Sequence, residues 1–512
     1  MSGRLLLLIF TVALVGVTVL LPVGAMVTDT FYSGGEFDFS LYQKLWQSGV
    51  FESLKHSLLL ATSVSFTSTA AGVGLGIVLG KLRLPFVTLF LILLSVPLLI
   101  SPYILALGWF DLLGREGFLG ELLFGFWGTF WVLFCVYLPI PLLLTVLFLG
   151  QVNPRLEEAG RLVTGWGGVL QGITLPLISP AIILSFLLVF VLAFGEQSVA
   201  NFLRYDVFPL ESFTYFSAFY DFKTATALAV PMIAVALLFL LAEQFLVHPR
   251  LVRFGSSHEV EKIVPGRWRV ILLFVLAVTV TLIIVLPFGA LLYQAADWQV
   301  LHEAFIKAKA PIFRSYLYGA VAATLLTVLG FVSGYLIGER VPGARGYDAA
   351  LIFLFALPAT VIGIALILFW NRPLTNFIYT TPLIILFGYV GKYLALTTKI
   401  SQTKLSQIPR SQVEAAQIAG ANGWQLFRFI LIPLSKKVLF VAWMIGLIFS
   451  LRETTITMLV YPPGYETLPV YTMTQMANGD PKLIAALCLF MIAMVLLPLG
   501  VAGVWRVRYD HA

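Results

Sequence analysis

The sequence predicts an all-α membrane protein, twelve transmembrane helices arranged as two parallel six-helix repeats. Three observations carry that prediction. Of the 512 residues, 60% are hydrophobic and only 11% are charged, against roughly 25% charged in soluble domains. The apolar residues fall in runs long enough to cross a bilayer, which takes about 20 residues in a helix. A polar, Ala-rich loop from Ser411 to Leu434, SQVEAAQIAGANGWQLFRFILIPL, also has an ungapped counterpart 257 positions earlier.

Twelve segments meet the length requirement: 5–27, 56–80, 86–110, 127–150, 177–203, 225–247, 270–294, 315–338, 349–371, 380–400, 434–460 and 483–505. Backbone groups in hydrocarbon must be satisfied within the segment, so each is a helix. Arg4 ahead of the first run imitates a secretory signal peptide. The run from Leu5 to Val27 is longer than the apolar core of such a peptide, and it is assigned as span 1.

Lys and Arg set the orientation. With the N-terminus inside, inside segments hold twenty of the thirty-two basic residues, among them Lys81, Arg83, Arg155, Arg161, Lys436 and Lys437. That bias places both loops and both termini in the cytoplasm. The net charge of +7 therefore reports topology and implies no nucleic-acid partner. Residues 1–247 form the first six-span half, with its loop at 153–176. The polar stretch 248–269, HPRLVRFGSSHEVEKIVPGRWR, reads as a cytoplasmic linker, and 270–512 form the second half, with its loop at 411–433.

The loops have structure of their own. Ser411 with Glu414 three residues on predicts a capping box and a helix start. Gly420, followed by Asn422-Gly423, predicts a stop with positive φ and a turn. A second helix begins near Trp424 and runs to Ile432-Pro433, where the next span starts. In the first copy Asn153-Pro154 is an N-cap followed by Pro at the first helical position. Glu157 aligns there with Glu414, Ala159 with Ala416, and Leu175-Pro176 with Ile432-Pro433.

The halves match elsewhere. Gly72, Gly76 and Gly80 of span 2 reappear as Gly330, Gly334 and Gly338 of span 8, a small-residue stripe that lets helices approach closely. Pro97 and Trp109 of span 3 match Pro358 and Trp370 of span 9, and Glu196 of span 5 matches Glu453 of span 11. Six spans per half give both halves the same orientation, so their pseudo-two-fold axis runs along the membrane normal.

Glu-Ala-Ala, three residues, Gly, and a closing Ile-Pro or Leu-Pro resemble the EAA loop of inner-membrane permeases of binding-protein-dependent ABC importers. The second copy, with Glu414, Ala415, Ala416, Gly420 and Pro433, is a close match. The first keeps Glu157, Glu158 and Ala159; Val163 stands where Gly420 would align, and the nearest glycine is Gly165. Two such loops in one chain resemble the fused permeases of iron(III), thiamine and related importers, with a type I importer fold. The stretches Leu451 to Leu468 and Phe194 to Phe222 resemble the iron(III) subfamily most, ahead of thiamine and phosphonate permeases.

The resemblance implies that each loop is a coupling helix docked in a groove of an ATP-binding subunit. Two copies of that subunit, using ATP and Mg, and a periplasmic or lipid-anchored solute-binding protein are then the partners, in a bacterial inner membrane. Glu157, Glu158, Ala159, Gly165, Glu414, Ala415, Ala416 and Gly420 become the coupling residues. The chain itself is then neither an enzyme nor a holder of a cofactor. Lys81 and Lys392 follow glycines, yet neither has the upstream Gly or the following Ser/Thr of a nucleotide-binding P-loop.

Glu196 and Glu453 lie about nineteen residues beyond the inner ends of their spans, roughly 28 Å along a helix. A carboxylate there can reach water, and its plain role is a solvated helix end. The matched position in both repeats points instead to a translocation path, with hard oxygen ligands suited to iron in passage. Arg452 either joins that path or neutralises Glu453. No firm metal site is indicated; the two glutamates are the only candidate ligands. Lys392, mid-span in GYVGKYLAL, must snorkel or pair with an acid, since a charge facing lipid costs about 2.5–3.5 kcal/mol. Tyr103, Trp109, Trp127, Trp131, Trp370 and Tyr379 at span ends read as an interfacial belt. The competing class, a twelve-span carrier driven by an ion gradient, leaves the two capped loops unexplained.

Overall fold

The computed structural model describes residues 3–33, 36–37, 40–47, 49–114, 118–247 and 262–510. Most of the predicted linker, 248–261, lies outside the described residues. Ten described helices are long and apolar enough to cross a membrane, and two bent helix pairs bring the number to twelve if each pair is one span. Every predicted segment falls on one of these.

The bent pairs are spans 3 and 9. Val87–Leu99 meets Pro102–Leu113 at 100°, and Ala344–Ala356 meets Ala359–Trp370 at 105°. Proline drives the residue before it out of the helical region. Ser101 (ψ 133°) precedes Pro102, and Leu357 (ψ 135°) precedes Pro358. The predicted match of Pro97 with Pro358 is therefore corrected. Pro97 stays inside its helix, and Pro102 makes the elbow.

Elsewhere proline widens a helix without ending it. Wide π-helical turns at Gly16–Leu20, Leu170–Thr174, Thr281–Val285 and Phe427–Leu431 each run straight into Leu-Pro or Ile-Pro: Pro22, Pro176, Pro287 and Pro433. The proline has no N–H to give and its ring crowds the carbonyl one turn back. A wider turn relieves both. Spans 5 and 11 consequently begin within the loops, as Trp166–Phe194 and Gly423–Arg452. The predicted starts at 177 and 434 were late for that reason.

The glycine stripe of span 2 meets helix Pro139–Leu149. A Cβ on Gly76 would lie 2.7 Å from that of Thr145, and one on Gly80 would lie 2.8 Å from Leu149. In span 8, Gly334 lies against Ser401 and Gln402, but Gly338 faces open space. The second stripe thus has two working members where three were predicted.

First helices cross to the other half of the sequence. Val19 of span 1 packs on Gly391 of span 10, and Pro287 of span 7 packs on Gly108 of span 3. One buried apolar cluster runs from Leu8 to Val460, so the two halves share a core. Tyr103, Trp109 and Trp370 are buried in the protein at 0%, 6% and 6% exposure, whereas Trp127 is 62% exposed. The predicted aromatic belt loses those three because the elbows carry them inward.

Candidate functional site

The first loop begins as predicted. Asn153 Oδ1 accepts the N–H of Arg155 at 3.0 Å, Pro154 opens the helix, and Pro154–Val163 follows. Glu158, Ala159 and Gly165 are exposed, and Leu162 and Val163 at the helix end are 89% and 90% exposed. The chain turns at Thr164 without positive φ, and Gly165 (φ −75°) opens the next helix. Glu157, named with them as a coupling residue, is buried instead. It is 1% exposed, ion-paired with Lys81 at the end of span 2, and accepts the hydroxyl of Thr174 at 2.6 Å.

The second loop is built differently. Its helix Arg410–Ile418 starts one residue before Ser411, after Pro409, and has no side-chain cap. The predicted Ser411–Glu414 capping box does not form, because Pro409 already sets the helix entry. A capping box appears one helix later, where Asn422 and Gln425 exchange two bonds of 2.9 Å. Gly420 has the predicted positive φ, +85°. Its N–H donates to Gln417 O and that of Ala421 to Ala416 O, both at 3.0 Å, closing the helix end. Glu414, Ala415 and Gly420 are exposed, Ala416 is half-buried, and Ile418 is 88% exposed. Phe427 packs on Phe331 and Tyr335, ring centroids 5.1 and 5.7 Å away, so this loop sits at the end of span 8. The first sits at the end of span 2.

The glutamates of spans 5 and 11 occupy equivalent places. Glu196 Oε1 accepts the N–H groups of Ser198 (2.8 Å) and Val199 (3.3 Å). Glu453 Oε1 accepts that of Ile456 at 2.9 Å. Val199 and Ile456 are themselves 257 positions apart. Each carboxylate therefore caps the short helix that follows its span, Ser198–Phe202 or Thr455–Val460. Glu453 also accepts the hydroxyl of Tyr393. Glu196, Glu453 and Arg452 are close enough for their charges to interact, and Tyr137 belongs to the same cluster.

Arg452 does not pair with Glu453. Its guanidinium donates to the carbonyl of Leu98, just before the elbow of span 3, and lies 5.2 Å from the ring of Phe449. Ser101 and Thr454 share a hydroxyl contact of 3.4 Å beside it. At the other elbow Thr360 donates to Gln197 at 3.4 Å, and a Cβ on Gly195 would lie 3.5 Å from Pro358. The C-terminal ends of spans 5 and 11 thus each rest on the elbow of the opposite half of the sequence.

Sequence reasoning missed Lys81, Tyr393, Tyr137 and the partners of Lys392. Tyr389, Lys392 and Tyr393 at spacings of three and four formed a polar stripe that marked one face of span 10. Nothing in the sequence marked Lys81 beyond its place after the glycine stripe. Among the described residues no group of three or more His, Cys, Asp or Glu could hold a metal ion.

Membrane-crossing helices, two loops with exposed apolar tips, and crossed elbows without a nucleotide-binding motif define a membrane permease. Residues 328–509 match the family described as Binding-protein-dependent transport system inner membrane component. The match covers about a third of the chain, in its second half, and marks the chain as a multi-pass inner-membrane permease component of a binding-protein-dependent transporter and not its ATPase. The family carries no cofactor, and its binding-protein dependence implies an ATPase and a binding protein as partners. The chain is similar to a putative ferric transport system permease protein of Haemophilus influenzae, 24% identical over 483 residues, 86% of this chain and 75% of that one. A ferric transport system permease protein of Actinobacillus pleuropneumoniae is 23% identical over 96% of this chain and 77% of its own. A putative 2-aminoethylphosphonate transport system permease protein of Salmonella typhimurium is 35% identical, over 15% of this chain and 29% of its own.

Proposed function

We propose that this permease moves ferric iron from its binding protein into the cytoplasm by ATP-driven alternating access. Two six-span halves, 1–247 and 270–512, joined by the linker 248–269, form parallel repeats of a type I importer. Both loops and both termini face the cytoplasm, and one of two ATPase subunits seats on each loop. The pair of exposed loop tips carries this reading. Leu162 and Val163 on one loop and Ile418 on the other stand out almost fully exposed beside Glu158-Ala159 and Glu414-Ala415. Large apolar side chains presented together on a polar loop suit a protein groove. Gly165 and Gly420 turn the chain behind each tip, and Ala416 supports the second from below.

Glu196, Glu453 and Arg452 line the path in this reading. Iron as the substrate is supported by the two ferric relatives, which match over most of this chain, and by the oxygen donors of Glu196, Glu453, Tyr137 and Tyr393. A phosphonate has the weaker support of one short match, and thiamine only that of the loop pattern.

The test is uptake into proteoliposomes holding the permease with its ATPase and binding protein. Labelled ferric iron, thiamine and 2-aminoethylphosphonate are offered in parallel. Accumulation of iron alone is expected. Accumulation of either other solute without iron moves the substrate and keeps the class.

A further inference from the structure

Three stretches of chain meet around one buried ion pair at the end of span 2. Lys81 and Glu157 are 3% and 1% exposed, and Thr174 donates to the second carboxylate oxygen. The backbone at Lys81 is engaged too. Its carbonyl accepts the N–H of Ile263 at 2.8 Å, and Arg83 N–H donates to Ile263 O at 2.9 Å, in a short parallel pairing with Leu82. Glu157 belongs to the first loop and Thr174 to the wide turn that opens span 5. Ile263 lies on the chain leading into span 7. The loop helix is further seated by Gly160, where a Cβ would collide with Ile173 and crowd Val169.

Among the described residues the second loop has no such ion pair. Glu414 is exposed and makes no ion pair among the described residues. Spans 2 and 8 correspond in the register of their glycine stripes, 258 positions apart. Ser57 and Ser315 keep that register, accepting the N–H groups of Phe208 and Leu468 at 2.7 and 2.8 Å. Position 81 then corresponds to Glu339. Two acids repel, so the same clamp cannot close there.

We infer that the Lys81–Glu157–Thr174 clamp is the transmission link of the first loop, that Glu157 is a positioning residue with no contact to the ATPase, and that the two loops are mechanically unequal. A push on the first loop reaches span 2 through Lys81, span 5 through Thr174 and the chain entering the second half through Ile263. A push on the second loop reaches span 11 by the continuous helix from Gly423 and span 8 by the packing of Phe427 on Phe331 and Tyr335, without a buried ion pair to Glu414 among the described residues. The inference rests on the loops being the ATPase seats.

The test uses the whole transporter in proteoliposomes, with iron uptake and ATP hydrolysis measured together. Glu157→Gln and Lys81→Met are each expected to lower iron taken up per ATP about tenfold, while the charge exchange Lys81→Glu with Glu157→Lys returns it to within about threefold. Thr174→Val leaves the ion pair whole and is expected to lower uptake per ATP with ATPase affinity unchanged. It keeps the question open to test if the exchange variant fails to fold. A membrane-impermeant maleimide is expected to label Glu414→Cys, with protection when the ATPase is bound, and to leave Glu157→Cys unlabelled throughout. An exchange variant that folds yet stays inactive, a Thr174→Val that weakens ATPase binding, or a Glu157→Cys labelled and then protected by the ATPase overturns the clamp. Glu414→Cys unprotected by the ATPase, or uptake without ATP, overturns the seating itself.

Discussion

Lys392 Nζ donates to the carbonyl oxygen of Phe355 at 2.8 Å, and to that of Leu357 as well, so a mid-span lysine closes the elbow of span 9. An elbow interrupts the helical ladder and strands carbonyls where no water reaches. Leu98 lies four residues before the elbow proline of span 3 and Phe355 three residues before that of span 9. A cation meets each: Lys392 from the neighbouring span of the same half, Arg452 from the opposite half. The clamp on span 9 travels with its own half. The one on span 3 joins the halves.

Lys392→Met is therefore expected to destabilise the folded permease by about 2–4 kcal/mol, since each buried carbonyl left without a partner costs about 1–3 kcal/mol. Thermal unfolding in detergent measures it. An unchanged midpoint would mean that the carbonyls find other donors.

Glu196 and Glu453 each combine a cap with a charge, and two substitutions separate them. Gln keeps the acceptor oxygen and Ala removes it. Glu453→Ala is expected to lose about 1 kcal/mol of stability, the usual value of a cap, while Glu453→Gln stays near wild type. Both are expected to lower iron uptake if the carboxylate charge serves the path. Wild-type uptake by Glu453→Gln would reduce the residue to its capping role.

Gly420 is the sharper of the two loop glycines. Its φ of +85° costs a side chain roughly 1–2 kcal/mol, so Gly420→Val is expected to distort the turn and lower uptake per ATP while the spans stay folded. Gly165, with φ −75° and open space around it, is expected to accept Ala with uptake unchanged. Equal loss in the two variants would count against a role for the turn itself.

The glycine stripe gives a graded series. Gly76→Ala and Gly334→Ala place a methyl within 2.7 Å of a neighbouring helix and are expected to cost about 1–3 kcal/mol by overpacking. Gly338→Ala meets nothing within 4 Å and is expected to be neutral. Unfolding midpoints of the three variants check the order.

Much of this was legible in the sequence, for reasons that are local. Apolar runs mark spans because hydrocarbon demands them, and Asn153-Pro154 and Gly420 announced a helix start and a stop through backbone rules alone. The misses turn on what neighbours do. Pro97, Pro102, Pro176, Pro358 and Pro433 look alike in sequence, yet two make elbows, two follow widened turns and one is absorbed. Ser411 and Glu414 had the spacing of a capping box until Pro409 started the helix earlier. Glu157 and Glu414 align without a gap and have opposite burial, because Lys81 stands beside one and the register puts Glu339 at the corresponding place for the other.

The most direct measurement of the central claim is the energy source of uptake. Proteoliposomes holding the permease, its ATPase and its binding protein receive labelled ferric iron, with ATP on the ATPase side or with an imposed proton or sodium gradient alone. Iron accumulation that requires ATP and both partners, and that the gradients cannot drive, is the expected result. Uptake driven by a gradient with no ATPase present would contradict the ATP-driven importer outright.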